Sequence, residues 1–435
     1  MKIPVTTFFL QHKLFFLVTV SVLATTLFSL FNLNSYCIIL LVACRLFWGG
    51  RPLAAIKTAF RNPLFLAYFA FFLVEAAGLL HTHNMGAGFN IVSKDCTIVS
   101  IAFVLCCGSF AGPEEYRKLI RVYILLLLLA SLYCLVIAGR NYVFQRDADV
   151  FFYHLLTRPI SQNAVFYSVF VLFGLVYLLS PEGELSIGAY PAGVNKGIRV
   201  FLVLFFLLMM VLLNSKLLLV IALLLVANFL TRKFSFRKNR RMAVISGLAL
   251  LSVLLVFMLT DNPIVRRYKE LAAGNLELVR QEKFSTDVYF NALQLRLLEW
   301  RFALEILNEH EAWLFGVSPG DSQDLLDNKY VITHMYIGDP SQGPHRKVRG
   351  FIGYNFHNQY LETMVRDGLV GLLVLLVIFG LLIGLVLRYR TREAVFIVGT
   401  LIVFFIPEAP LTLQHGVFLF CFFPLLLPYS VKSPE

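Results

Sequence analysis

Residues 353–387 read GYNFHNQYLETMVRDGLVGLLVLLVIFGLLIGLVL. From Leu369 onward the stretch is apolar over about 20 residues, enough for a helix to cross about 30 Å of hydrocarbon. A barrel strand would alternate polar and apolar residues, and this run does not. The first half is different: a His-Asn pair, Glu362, Arg366 and Asp367 sit on the lip of the run, where charge is costly.

The rest of the chain repeats the second half of that pattern. Of 435 residues, 58% are hydrophobic, 15% are charged and 42 are Phe, more apolar surface than one soluble core can bury. Apolar runs recur near 14–31, 35–49, 63–80, 95–111, 120–138, 163–180, 199–213, 217–231, 243–260, 367–387, 394–411 and 413–430. The expected fold is all-α: a polytopic transmembrane helical bundle of about 12 spans with one long, partly helical outward loop. Three blocks follow: residues 1–260 with nine spans, the loop 261–356, and residues 357–435 with three spans. No small-residue cleavage site follows MKIPVTTFFLQHK, so the first run is expected to be a retained span.

Basic residues give the orientation. With the N-terminus cytoplasmic, Arg51, Lys57 and Arg61, Arg117, Lys118 and Arg121, Lys196 and Arg199, TRKFSFRKNRR at 231–241 and RYRTR at 388–392 all fall on one side. That places both termini in the cytoplasm. The formal net charge of +12 is thus mostly topology. It calls for no nucleic-acid partner, because a soluble basic face with interleaved aromatics is missing. The outward side holds short turns, a loop at 139–162, and segment 261–356 with 13 acidic and 11 basic residues.

Chemistry has most room in that last segment. Its stretch TDVYFNALQLRLLEWRFALEILNEHEAWLFG places Leu293, Leu297, Trp300, Leu304 and Leu307 at helical spacing, and Gly316, Pro319 and Gly320 end the pattern. The polar stretch with Gly338, Pro340, Gly343, Pro344 and Gly350 reads as loop. Arg296 on the helix offers a planar fork suited to phosphate, or an ordinary snorkelling surface cation. His357 is an acid–base group at the water boundary, or an interfacial helix cap. Asn358 and Glu362 suit the helix start, Glu362 and Arg366 are spaced for an i,i+4 ion pair, and Asp367-Gly368 can end one helical piece and begin the span.

Lys216, alone between two apolar runs in VLLNSKLLLVIALLL, sits in a very tight turn at headgroup depth. Lys94, Arg146, His154 and Arg158 extend the outward set of cations that a polyanionic headgroup would need. Glu75 and Glu408 are apolar-flanked carboxylates, open to a proton relay or to hydrogen-bonded packing. No GxxxxGK[ST], HExxH or GxSxG occurs, which weighs against nucleotide-driven transport and zinc proteolysis. The seven cysteines fall in or beside apolar runs, and His334, His345 and His357 have no ligand spacing, so neither a disulfide framework nor a metal or other cofactor is expected.

Two stretches carry a family likeness. RLLEWRFALEILNEHEAWLFGVSPG resembles the Arg-x-x-x-Trp-x-x-Ala helix and glycine turn of bacterial O-antigen ligases and polymerases, and FHNQYLETMVRDGLVGLL is similar to their His-Asn-x-x-Leu segment leading into a span. NSK at 214–216 resembles their Ser-Arg turn. The departures are Lys216 in place of Arg and Ser318-Pro319 interrupting the glycine turn.

The resemblance implies an inverting, metal-independent glycosyltransferase in the bacterial inner membrane. Its donor would be an undecaprenyl-pyrophosphate-linked glycan and its acceptor lipid A-core or, in the polymerase branch, another lipid-linked glycan. A protein-glycosylating branch also exists, and outside the family a lipid or sugar transporter is the alternative. By the same resemblance His357 would activate the acceptor hydroxyl or hold the donor. Arg296 and Lys216 would bind the pyrophosphate, with Lys94 and Arg158 as further cations.

Overall fold

The computed structural model describes residues 5–47, 52–108, 112–180, 196–233, 276–338 and 350–430. The expected span 243–260, most of the basic loop 231–241, Arg51 and His345 lie outside these residues. What is described is all helical. In chain order the helices are α1 (Val5–Leu27), α2 (Phe31–Leu46), α3 (Pro52–Ala59), α4 (Pro63–Gly78), α5 (Met85–Cys106), α6 (Pro113–Gln145), α7 (Tyr153–Thr157) and α8 (Ala164–Leu179). They continue with α9 (Lys196–Leu213), α10 (Lys216–Lys233), α11 (Ala292–Glu309), α12 (Ser322–Ile332), α13 (Gln359–Tyr389), α14 (Arg392–Phe404) and α15 (Gln414–Leu426).

Among the described residues, four helical segments are long and apolar enough to cross a membrane: Pro63–His81, Met85–Cys106, Glu114–Gln145 and Gln359–Tyr389. A fifth is formed if Tyr153–Ile160 and Ala164–Leu179, bent by 81°, count as one span. Five more apolar helices are shorter, at 10–17 residues. Among the described residues the apolar runs are helical, and four or five segments meet the length of a full span. The run expected at 394–411 stops at Phe404, and residues 405–413 turn back as irregular chain and a 3₁₀ turn. The loop expected at 139–162 is largely helical, since α6 continues to Gln145.

Helix α8 is apolar all round and, apart from Val165, buried along its whole length. A helix without a polar face must be surrounded, and aromatic rings do much of the surrounding. Phe423 meets Phe173 at 5.0 Å and Tyr123 at 5.1 Å between ring centroids, and Phe405 meets Phe379 at 5.2 Å. Two buried polar side chains are paired within the protein and tie helices together. Asn34 donates to Val22 O at 3.0 Å and to the Thr25 and Thr26 hydroxyls at 2.9 Å, which pins the α1–α2 hairpin. The Tyr68 hydroxyl donates to Phe420 O at 2.9 Å.

Segment 276–356 builds a second core from Leu298, Phe302, Ile306, Leu326, Tyr330 and Phe356. Helix α11 starts at a capping box, with Asn291 accepting from Gln294 N at 2.9 Å and Gln294 returning the bond to Asn291 N. Its buried stripe is not the one read from the sequence. Leu293 and Leu304 are 41% and 42% exposed, whereas Leu298, Glu299, Phe302, Ala303 and Ile306 are buried, and only Leu307 belongs to both stripes. Both stripes fit a 3.6-residue period, and the one holding Phe302 and Ile306 packs against α12, a helix the sequence reading passed over.

Helix α13 breaks at Gly368, where φ is +66° and ψ −162°, a region essentially confined to glycine. A break strands backbone groups that cannot be left unpaired at this depth. The 312–318 turn takes them up. Val317 N donates to Val365 O at 2.8 Å, Ser318 N to Arg366 O at 3.0 Å, and Leu369 N donates to Trp313 O at 2.8 Å. The two strands of backbone lie so close that a Cβ on Gly316 would stand 2.2 Å from Arg366 O and one on Gly368 2.3 Å from Leu314 C. The glycine turn that Ser318-Pro319 interrupts therefore has a structural job. Gly368→Ala is expected to cost roughly 1–3 kcal/mol from backbone conformation alone, with the overlap added, and to lower the melting temperature of the purified protein in detergent.

Candidate functional site

The lip of α13 is braced from within. Asn358 accepts from Leu361 N at 3.0 Å as the helix cap. Arg366 Nη2 lies 2.6 Å from Glu362 Oε1, the i,i+4 pair expected from the sequence. The other oxygen of Glu362 accepts from Phe356 N at 3.3 Å, and Asn355 Oδ1 accepts from His357 N at 2.9 Å. Together these hold His357 at φ +45°, a left-handed conformation few side chains adopt.

Its ring is oriented as firmly as its backbone. Nδ1 lies 2.7 Å from Glu299 Oε2 and 3.1 Å from Asn355 O. A carbonyl only accepts, so Nδ1 carries the proton and the neutral ring keeps its lone pair on Nε2. Glu299 is fully buried, and its other oxygen accepts from the Tyr330 hydroxyl at 3.1 Å. Burial pushes the Glu299 carboxyl above the ordinary carboxylate range, with His357 pulling it back. For His357 burial disfavours the charged ring, and the Glu299 carboxylate more than offsets this, leaving the imidazole above its ordinary value. Both directions mean that the pair keeps a shared proton to higher pH than separate groups would.

Glu299 sits in the RLLEWR stretch beside residues that drew attention, yet the sequence reading missed it. It lies 58 positions from His357, and its one signal is a carboxylate on the strongly apolar face of α11. If His357 serves as a base through Nε2, activity rises with pH as the ring loses its proton. Glu299→Gln removes the charge that favours the imidazolium, so the acid limb of the pH–rate profile is expected to move to lower pH. Rates of the two proteins across a pH series check the direction.

Lys94, Arg296 and His357 line one cavity of about 610 Å³, together with Arg366, His154 and Glu408. Lys94 Nζ is 3.4 Å from Thr412 O, so the irregular chain after α14 forms part of the wall. A second cavity of about 210 Å³ is lined by Lys216, Asn214, Leu293 and Arg296 and is mostly apolar. The two share Tyr153, Val165, Arg296 and Glu408, so they adjoin. Lys216 opens α10 after a two-residue turn in which Asn214 takes φ +50°.

Arg158 is elsewhere. It lines a separate cavity of about 220 Å³ with Asn141 and Gln145, and takes no part in this group. Arg366 lines the large cavity but is matched by carboxylates, with Glu75 3.9 Å away in addition to Glu362. Glu75 is therefore packed beside a guanidinium. Glu408 is 2.6 Å from Arg296 Nη2, a pairing across 112 positions that no local pattern announces.

Residues 201–376 match the family model described as Wzy_C, O-antigen ligase. That segment is similar to the O-antigen ligases the model describes. The match agrees with the resemblance drawn from the sequence. It points to a membrane enzyme of the O-antigen ligase/polymerase type, acting on a lipid-linked glycan and an acceptor. Lys216, Arg296, Glu299, His357 and Arg366 lie within the matched segment, while Lys94 and Glu408 join the site from outside it. No curated protein matches the chain.

Proposed function

We propose that this protein is an O-antigen ligase: an inverting, metal-independent glycosyltransferase that moves a glycan from undecaprenyl pyrophosphate to lipid A-core at the periplasmic face of the inner membrane. The observation that carries the reading is the convergence of Lys94, Arg296 and His357 on one cavity, adjoined through Arg296 by the apolar chamber of Lys216. In this reading the bundle has twelve spans and cytoplasmic termini. The short apolar helices, α14 and residues 243–260 make up the number, and residues 261–356 form the periplasmic block between membrane blocks 1–260 and 357–435.

Cleaving a sugar–pyrophosphate bond leaves negative charge on the departing diphosphate. Fixed cations that meet that charge as it grows lower the barrier without reorganising. Lys216 and Arg296 take this role, with the diphosphate end of the lipid entering from the apolar chamber and the glycan in the larger one. His357 Nε2 removes the proton of the acceptor hydroxyl as the oxygen attacks the anomeric carbon. Glu299 holds Nδ1–H and steadies the imidazolium that results. Lys94 adds positive charge at the cavity wall; Arg158 is left out of the site.

Purified protein in detergent, given undecaprenyl-pyrophosphate-linked glycan and lipid A-core, is expected to transfer glycan without a gradient. Longer lipid-linked chains in place of glycosylated lipid A-core would make it a polymerase. Glycan found only on periplasmic protein would place it in the protein-glycosylating branch. No transfer by well-folded protein, together with movement of the lipid across vesicles, would replace the enzyme by a transporter.

A further inference from the structure

A carboxylate looks misplaced in a pocket for a diphosphate, yet Glu408 lines both chambers. The donors of Arg296 explain its presence. A guanidinium has five N–H groups. Nε donates to Pro407 O at 2.8 Å, Nη2 to Glu408 Oε1 at 2.6 Å, and Nη1 back to Ala292 O at 3.1 Å. Nε and Nη2 form the side-on fork of the group, so residues 407–408 close that side. One N–H on each terminal nitrogen remains, and these two make the end-on fork. The Arg296 side chain is 24% exposed and that of Glu408 13%, so the pair is shielded enough to hold its geometry.

We propose that Glu408 is a positioning residue that turns the end-on fork of Arg296 toward a phosphate at the junction of the two chambers and tempers the positive charge there. The inference rests on the glycosyltransfer reading. In that reaction the departing diphosphate gains a negative charge as the glycosyl bond breaks. A site with Lys216 and an unopposed Arg296 would hold that product harder than the donor. Glu408 fixes direction and limits retention at once, which a neutral acceptor could not do.

Two substitutions separate these effects, with inorganic pyrophosphate as the probe of product binding. Glu408→Gln keeps an oxygen for Nη2 and removes the charge, so inhibition of transfer by inorganic pyrophosphate is expected to tighten several-fold. Glu408→Ala also frees the fork, so kcat is expected to fall by about tenfold or more while KM for the donor changes less. A role confined to folding would move neither the inhibition constant nor the split between kcat and KM. Unchanged pyrophosphate inhibition in Glu408→Gln overturns the proposal, as does a wild-type kcat in Glu408→Ala. If the alanine variant does not fold, the glutamine variant decides alone. Arg296→Ala is the reference: full transfer by that variant defeats the functional reading itself, whereas an inactive Arg296→Ala beside wild-type Glu408 variants defeats only this inference.

Discussion

Replacing His357 with asparagine is expected to lower glycan transfer by a factor on the order of 10²–10⁴, the range associated with a positioned general base. Asparagine is the better replacement because it tolerates the left-handed backbone that His357 adopts at φ +45°. The helix start should survive, since Asn358 caps it and Glu362 holds Phe356 N. What disappears is the Nε2 lone pair. The loss should therefore fall on kcat with a smaller change in KM for the donor. A melting temperature close to that of the parent protein distinguishes lost chemistry from lost structure. If the Asn variant keeps more than a tenth of the parental rate, His357 is a binder or a cap and the proton acceptor must be sought among other cavity residues.

The second large effect is expected at Arg296. Removing one preorganised donor to a developing anion costs on the order of 10²–10³ in rate, and Arg296→Ala removes a fork and a charge together. Arg296→Lys keeps the charge without the planar geometry and should fall between the two. A complication comes from the partner: Arg296→Ala leaves the Glu408 carboxylate, only 13% exposed, without its cation. A stranded buried charge is costly in itself. The double variant Arg296→Ala/Glu408→Ala removes that cost. Activity restored by the second substitution would mean that Arg296 serves only to satisfy Glu408. Continued inactivity with a normal melting temperature assigns the loss to the reaction.

Local features of this chain were legible because they depend on near neighbours in sequence. The apolar run of α13, its Asn358 cap, the Glu362–Arg366 pair, the break at Gly368 and the tight turn at Asn214-Ser215 all follow from spacing within a few residues. The choice between two stripes on α11 did not follow, because Leu293 and Leu298 are equally apolar and only the packing of α12 decides which is covered. The end of α14 at Phe404 was legible, but the count of apolar residues alone hid it. Pro407 and Pro410, which cannot continue a helix, follow it within a largely apolar run, and the carbonyls they free accept from Gln359 N and Arg296 Nε.

The same limit applies to the candidate site. Charge and position relative to the apolar runs singled out Lys94 and Arg158 alike, yet one lines the large cavity and the other a separate one. The cavity a cation lines depends on how helices are packed, which charge and position along the chain do not give. Glu299 and Glu408 were invisible as partners for the same reason, being 58 and 112 positions from the groups they orient. Pairings of this kind appear only once the backbone is folded.

The most direct measurement is a structure of the protein in lipid nanodiscs with undecaprenyl pyrophosphate bound. The account requires the diphosphate between Lys216 and the end-on face of Arg296, with His357 Nε2 facing the glycan side of the same cavity. Diphosphate density beside Arg158, or in any pocket that Arg296 does not line, would contradict it.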